Sequence, residues 1–133
     1  MSIAIDTNVL VRVLVDDPTA TEQCAAARRL LGQAQEPLLV TLCTLLETEW
    51  VLRSRYKVDR SAMIQAVIAM LETVGIEFEH MPTVEEALYL FEHHPKADFA
   101  DCLQVARATH LGYARFMTFD AGAAQLPRGE LLT

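Results

Sequence analysis

Residues 3–12 read IAIDTNVLVR, and the change of pattern at Asp6 sets the fold class. The apolar run from Ser2 to Ile5 is too brief for a helix, so it reads as a buried strand that ends at Asp6. Asp6, Thr7 and Asn8 are turn and capping side chains, and beyond them the spacing predicts a short helix over residues 9–15.

The alternation continues outward from that stretch. Asp17-Pro18 predicts a helix start, followed by Ala20, Cys24, Ala27, Leu30 and Leu31 at helical spacing until Gly32 and Pro37. Residues 38–40 form a second strand. Thr41 caps a helix carrying Leu45, Trp50 and Leu52 toward the core, and Asp59 caps another through Met63, Val67 and Met70. Residues 76–78 form a third strand. Pro82-Thr83 opens a helix in which Thr83 and Glu86 make a capping box, and His93-His94-Pro95 stops it. Asp98 opens a helix through Cys102, Val105 and Ala106, and residues 115–118 form a fourth strand with Asp120 just past its end. Short strands separated by helices imply right-handed crossovers and a short, mostly parallel sheet covered on both faces.

The 133 residues suit one core, so a single domain over 1–133 is expected. Five Gly and five Pro beside 52% hydrophobic residues exclude a disordered or collagen-like chain. Cys24, Cys43 and Cys102 stand in no zinc-ligand pattern and read as small core residues of a reduced, cytoplasmic protein. Asp6 and Arg12 interrupt the first apolar run, which predicts neither an export signal nor a membrane span. A net charge of −7 argues against nucleic-acid binding through a simple basic surface.

In an open parallel sheet the ligand crevice lies outside the carboxyl ends of the strands, which is where Asp6 and Asp120 fall. Several carboxylates sharing a cleft imply a shared proton or a bound cation, and hard divalent ions such as Mg²⁺ and Mn²⁺ prefer oxygen ligands. Each acid also has a structural reading. Asp6, Asp98 and Asp120 can cap the helices or turns they precede, and Asp101 favourably meets a helix dipole. Asp98 and Asp101 share a face through their i, i+3 spacing. Glu47 competes with Glu49. Glu49 has Arg53 at i+4 and is expected in a surface salt bridge, whereas Glu47 has no cation at those positions and is the better metal-site candidate.

IAIDTNVLVR, followed by LLETEWVLRSRY, ADFADCLQVARA and FMTFD, resembles the PIN domain, and within it the VapC toxins of bacterial toxin–antitoxin pairs. The resemblance spans essentially the whole chain. It implies an α/β fold built as a three-layer α/β/α sandwich, and an endoribonuclease in which Asp6, Glu47, Asp101 and Asp120 match the family's acidic quartet and Asp98 is an additional acid. Asp6 and Asp101 would hold Mg²⁺ or Mn²⁺, with either Asp98 or Asp101 as the direct ligand in that motif; Thr7 and Asn8 would orient Asp6 or its waters. It further implies an RNA substrate, a VapB-type antitoxin and a homodimer.

Removing the five site acids from the net charge of −7 leaves −2, which weakens the charge objection. Arg53, Arg55, Lys57 and Arg60 form a local basic run that can meet phosphates or simply face solvent, and Arg12 and Arg107 are further candidates. His80, His93, His94 and His110 match no metal motif and are expected on surfaces or turns. Trp50, Tyr56, Tyr89 and Phe91 read as core or interface residues. Two alternatives compete: an acidic, non-catalytic interaction module, and a phosphatase of the haloacid dehalogenase kind. The latter requires a second Asp two residues after the first, where this chain has Asn8.

Overall fold

A computed structural model describes residues 2–133. They fall into two compact units, one ending at Glu79 and one beginning at His80. The first contains β1 (Ile3–Ala4), α1 (Thr7–Leu14), α2 (Thr21–Gln33), β2 (Leu38–Val40), α3 (Leu42–Ser54), α4 (Arg60–Glu72) and β3 (Ile76–Phe78). Its strands pair in parallel in the order β1-β2-β3, with Ile3 opposite Leu38 and Leu38 opposite Ile76. Leu38 and Val40 are fully buried, as are Leu10 of α1, Leu45 of α3 and Val67 of α4. With strands of two or three residues, the helices supply most of the apolar surface removed from water.

Capping side chains explain where these helices start. Val9 donates its backbone N–H to Asp6 (3.1 Å), Thr44 to the Thr41 hydroxyl (3.2 Å) and Ala62 to Asp59 (2.8 Å), each satisfying an amide left over at a helix N-terminus. The helix expected from Asp17-Pro18 instead begins at Thr21. Asp17 is committed elsewhere, accepting from the Thr19 amide (2.9 Å), the Thr19 hydroxyl (2.6 Å) and the Tyr56 hydroxyl (2.7 Å). These bonds, those from Thr19 foremost, hold its carboxyl down at about 2.

On α3 the buried stripe is Leu45, Thr48, Glu49 and Leu52, a 3–4 periodicity that leaves Trp50 57% exposed rather than in the core. The same stripe corrects the reading of Glu49. It pairs with Arg53 as expected (3.0 Å), but its side chain is 5% exposed, so this is a carboxylate taken out of water and not a surface pair. Cys24 and Cys102 are buried, whereas Cys43 is exposed.

The second unit contains α5 (Met81–His93), α6 (Phe99–His110), β4 (Phe116–Thr118), α7 (Ala121–Ala124) and β5 (Gly129–Leu131). Helices α5 and α6 pack through Val84, Ala87, Cys102 and Ala106, all fully buried, and through an edge-to-face contact of Phe91 with Phe99 (5.4 Å between centroids). The expected Thr83–Glu86 capping box does not form. Pro82 sits in the first turn, His80 becomes the cap that receives the Thr83 amide (3.3 Å), and Glu86 meets His110 instead (3.0 Å). Tyr89 is exposed and stacks on His93 (4.1 Å). Strand β4 pairs in parallel with β5, which the sequence did not announce: Gly129-Glu-Leu131 holds no β-branched or aromatic residue.

The strands of both units are therefore parallel and interleaved with helices, as the sequence pattern predicts for the α/β class. Among the described residues no helix is long and apolar enough to cross a membrane.

Replacing Arg53 with Ala leaves the Glu49 carboxylate buried without this cation. The expected cost is about 1–3 kcal/mol of unfolding free energy, measured by urea denaturation at pH 7. Loss of less than a few tenths of a kcal/mol would show that Glu49 is solvated in solution.

Candidate active site

In the first unit the chain leaves β1 and turns at once into α1, with Asp6 at the junction. One oxygen of Asp6, Oδ1, caps the helix. The side chain is exposed and lines a groove of about 580 Å³ together with Asn8, Val9, Arg12, Gln23 and Leu30. Thr7 is buried, and its hydroxyl donates to Oε1 of Glu47 on α3. The resemblance assigned Thr7 to Asp6 or its waters; it serves Glu47 instead, binding that carboxylate to the residue next to Asp6. Glu47 itself is exposed, unlike Glu49 two residues on. The two acids thus differ physically: Glu49 is paired with Arg53, and Glu47 keeps a carboxylate open to solvent.

In the second unit three acids act on one another. Asp98 caps α6 through Oδ1, receiving the Asp101 amide (2.9 Å), and Asp101 lies half-buried in the first turn. Asp120 follows β4, caps α7 through Oδ2 by accepting from Ala123 N–H (3.0 Å), and has its own amide held by the Thr118 hydroxyl (3.0 Å). Burial, then the charge and hydrogen bonding of Asp98, then those of Asp120, push the Asp101 carboxyl up to about 6.

Gly122 is a residue that the sequence reading did not single out. A Cβ there would lie 2.2 Å from the carbonyl oxygen of Lys96 and 3.4 Å from Oδ2 of Asp120. Only glycine allows the α7 turn to sit against the backbone just before Asp98, which is how Asp120 comes within electrostatic reach of Asp101. Glycine directly after Asp-Ala was the available signal.

The donor set is all oxygen, which suits a hard divalent cation. Among the described residues no three acid, His or Cys side chains surround a common point tightly enough to form a closed cage. The Asp98–Asp101–Asp120 repulsion is the feature a cation would relieve, so the residues fit the group.

Comparison with known proteins decides the family: the family model described as PIN domain matches residues 3–129. This chain belongs to the PIN domain family. All five candidate acids lie inside the matched span, and membership removes the phosphatase alternative. The chain is 26% identical over 115 residues to a relative from Aquifex aeolicus (strain VF5) named "VapC ribonuclease", covering 86% of this chain and 84% of that protein. A solved structure of VapC20 from Mycobacterium tuberculosis, described as a sarcin–ricin loop cleaving toxin, is 21% identical with a TM-score of 0.43, covering 96% of this chain and 98% of that one.

Two outcomes follow for the acids of the second unit. Because the folded pKa of Asp101 lies above its ordinary value, the folded protein binds the extra proton, so stability falls as pH rises from about 4 to about 6 and the penalty persists above that. Asp101→Asn, in chelator and without metal, is expected to raise Tm at pH 7 by about 3–5 °C and to lose that advantage near pH 4. A Tm gain equal at both pH values would locate the effect in packing rather than charge. Gly122→Ala is expected to cost about 1–3 kcal/mol in denaturant titrations and to bring the Asp101 carboxyl, followed by carbon-detected NMR, down toward the ordinary carboxylate range. An unmoved Asp101 titration would separate the α7 turn from the acid cluster.

Proposed function

We propose that this chain is a metal-dependent endoribonuclease, the toxin of a VapBC-type toxin–antitoxin pair, with its two units forming a single PIN domain. The observation that carries this reading is the PIN family match over residues 3–129, which contains every one of the five acids. The named activity of the Aquifex relative supports RNA as substrate. Asp6, Glu47, Asp98, Asp101 and Asp120 are the proposed catalytic residues. Its partners are then a VapB-type antitoxin and a second copy of the chain, and its place is the cytoplasm.

Asp6 and Asp101 are the proposed ligands of Mg²⁺ or Mn²⁺. Such an ion supplies charge stabilisation to a phosphodiester under attack and acidifies a water to serve as nucleophile. Asp6 suits the role because capping occupies Oδ1 and leaves Oδ2 outward. Asp101 suits it because its neighbours favour protonation in the absence of a cation, so it releases a proton when one binds. Glu47, pinned through Oε1 by Thr7, has Oε2 available to orient the attacking water or accept its proton. Asp98 and Asp120 hold their helices and sustain the negative field around Asp101.

Calorimetric titration of Mn²⁺ into wild type, Asp6→Asn and Asp101→Asn, followed by cleavage of a mixed-sequence RNA with the same samples, tests this. Binding in wild type with proton release near pH 6, and cleavage reduced at least about 10²-fold in both variants, are the expected results. Well-folded wild type that binds no ion would favour the acidic interaction module.

A further inference from the structure

The groove beside Asp6 contains a cation that the acidic machinery does not use. Arg12, on α1, lines that groove with Asp6 and Asn8, and also lines an adjoining hollow of about 460 Å³ with Thr19, Thr21, Glu22 and Arg55. Its guanidinium is held at two points. Nε donates to Oε1 of Gln23 (2.9 Å) and Nη1 donates to the Tyr56 hydroxyl (2.9 Å), which in turn donates to Oδ2 of Asp17 (2.7 Å).

Asp17 is the only acid within ion-pair distance of Arg12 among the described residues, at 3.6 Å, which is too long for a hydrogen bond. Both of its oxygens are already engaged, Oδ1 by Thr19 and Oδ2 by Tyr56. Nη2 of Arg12 therefore has no hydrogen-bond acceptor among the described residues. The side chain is 15% exposed, so its stem is packed and the planar head is fixed before any ligand arrives. A guanidinium fixed through Nε and Nη1, with Nη2 left as a donor on a side chain that lines an open groove, is matched to a phosphate oxygen. Arg55, exposed and 5.8 Å above the Tyr56 ring, continues the positive line into the next hollow.

We infer that Arg12 is a contact for a substrate phosphate flanking the scissile one, and that Tyr56 and Asp17 are positioning residues that aim it; the inference rests on the ribonuclease reading. A single strand of RNA then runs along the α1–α2 groove from Asp6 toward Arg55, with its backbone rather than its bases read at Arg12.

The test measures binding of a mixed-sequence 2′-O-methyl oligoribonucleotide by fluorescence anisotropy at several NaCl concentrations, together with cleavage kinetics on the unmodified RNA. Arg12→Gln is expected to raise Kd and KM about tenfold, to leave kcat within about twofold, and to lower the salt-dependence slope by about one. Tyr56→Phe keeps the charge but loosens its aim, so KM is expected to rise about threefold with the slope unchanged. Should Arg12→Gln fold poorly by circular dichroism, Tyr56→Phe decides alone, and a wild-type KM in that variant overturns the proposal. Wild-type Kd, KM and slope in folded Arg12→Gln also overturn it while Asp6-dependent cleavage stands. Wild type that neither binds nor cleaves RNA removes the ribonuclease reading and this inference together.

Discussion

Backbone amides at helix N-termini set the terms for this protein. Asp6, Asp98 and Asp120 each sit at the entrance to a helix and each accept a hydrogen bond from the amide three residues on. Such caps contribute about 1 kcal/mol apiece and fix the rotamer of the carboxylate that makes them. Capping consumes one oxygen lone pair and leaves the second oxygen outward. A carboxylate can therefore hold its helix in place and still present charge to a ligand, so the structural and functional readings of these acids are compatible.

The remaining acids are held by different means. Glu47 is tied by the hydroxyl of Thr7, a side chain that is itself buried, and Asp101 is fixed by its place in the first turn of α6. Among the described residues neither forms an ion pair with a cation. The contrast with Glu49 is instructive: buried on the same helix as Glu47, it is neutralised by Arg53 and is lost to chemistry. Charge is left uncompensated at Asp101, beside Asp98 and Asp120, and is compensated at Glu49 by Arg53.

Much of this architecture was legible in the sequence because it depends on local signals. The strand just before Asp6, though exposed at Ile3 and Ala4 rather than buried as expected, the caps at Thr41, Asp59 and Asp98, and the strand before Asp120 all follow from apolar runs meeting capping residues. What escaped depends on contacts between distant residues. Asp17 abandoned its helix for Thr19 and Tyr56, and Glu86 left the expected capping box for His110. Strand β5 is recruited by pairing with β4 and has no strand propensity of its own. At the candidate site the sequence named the acids but not Gly122, whose lack of a side chain matters only because the Lys96 carbonyl lies against it.

The winding order of the strands bears on synthesis. In the first unit β1 pairs with β2 and β2 with β3, so each new strand docks on the one made immediately before it; β4 and β5 are likewise consecutive. No strand in either sheet must await a partner lying beyond the next strand. A chain emerging from the ribosome at about 5–20 residues per second can lay down each sheet in the order of translation, with little time for an unpaired edge to meet a neighbouring nascent chain.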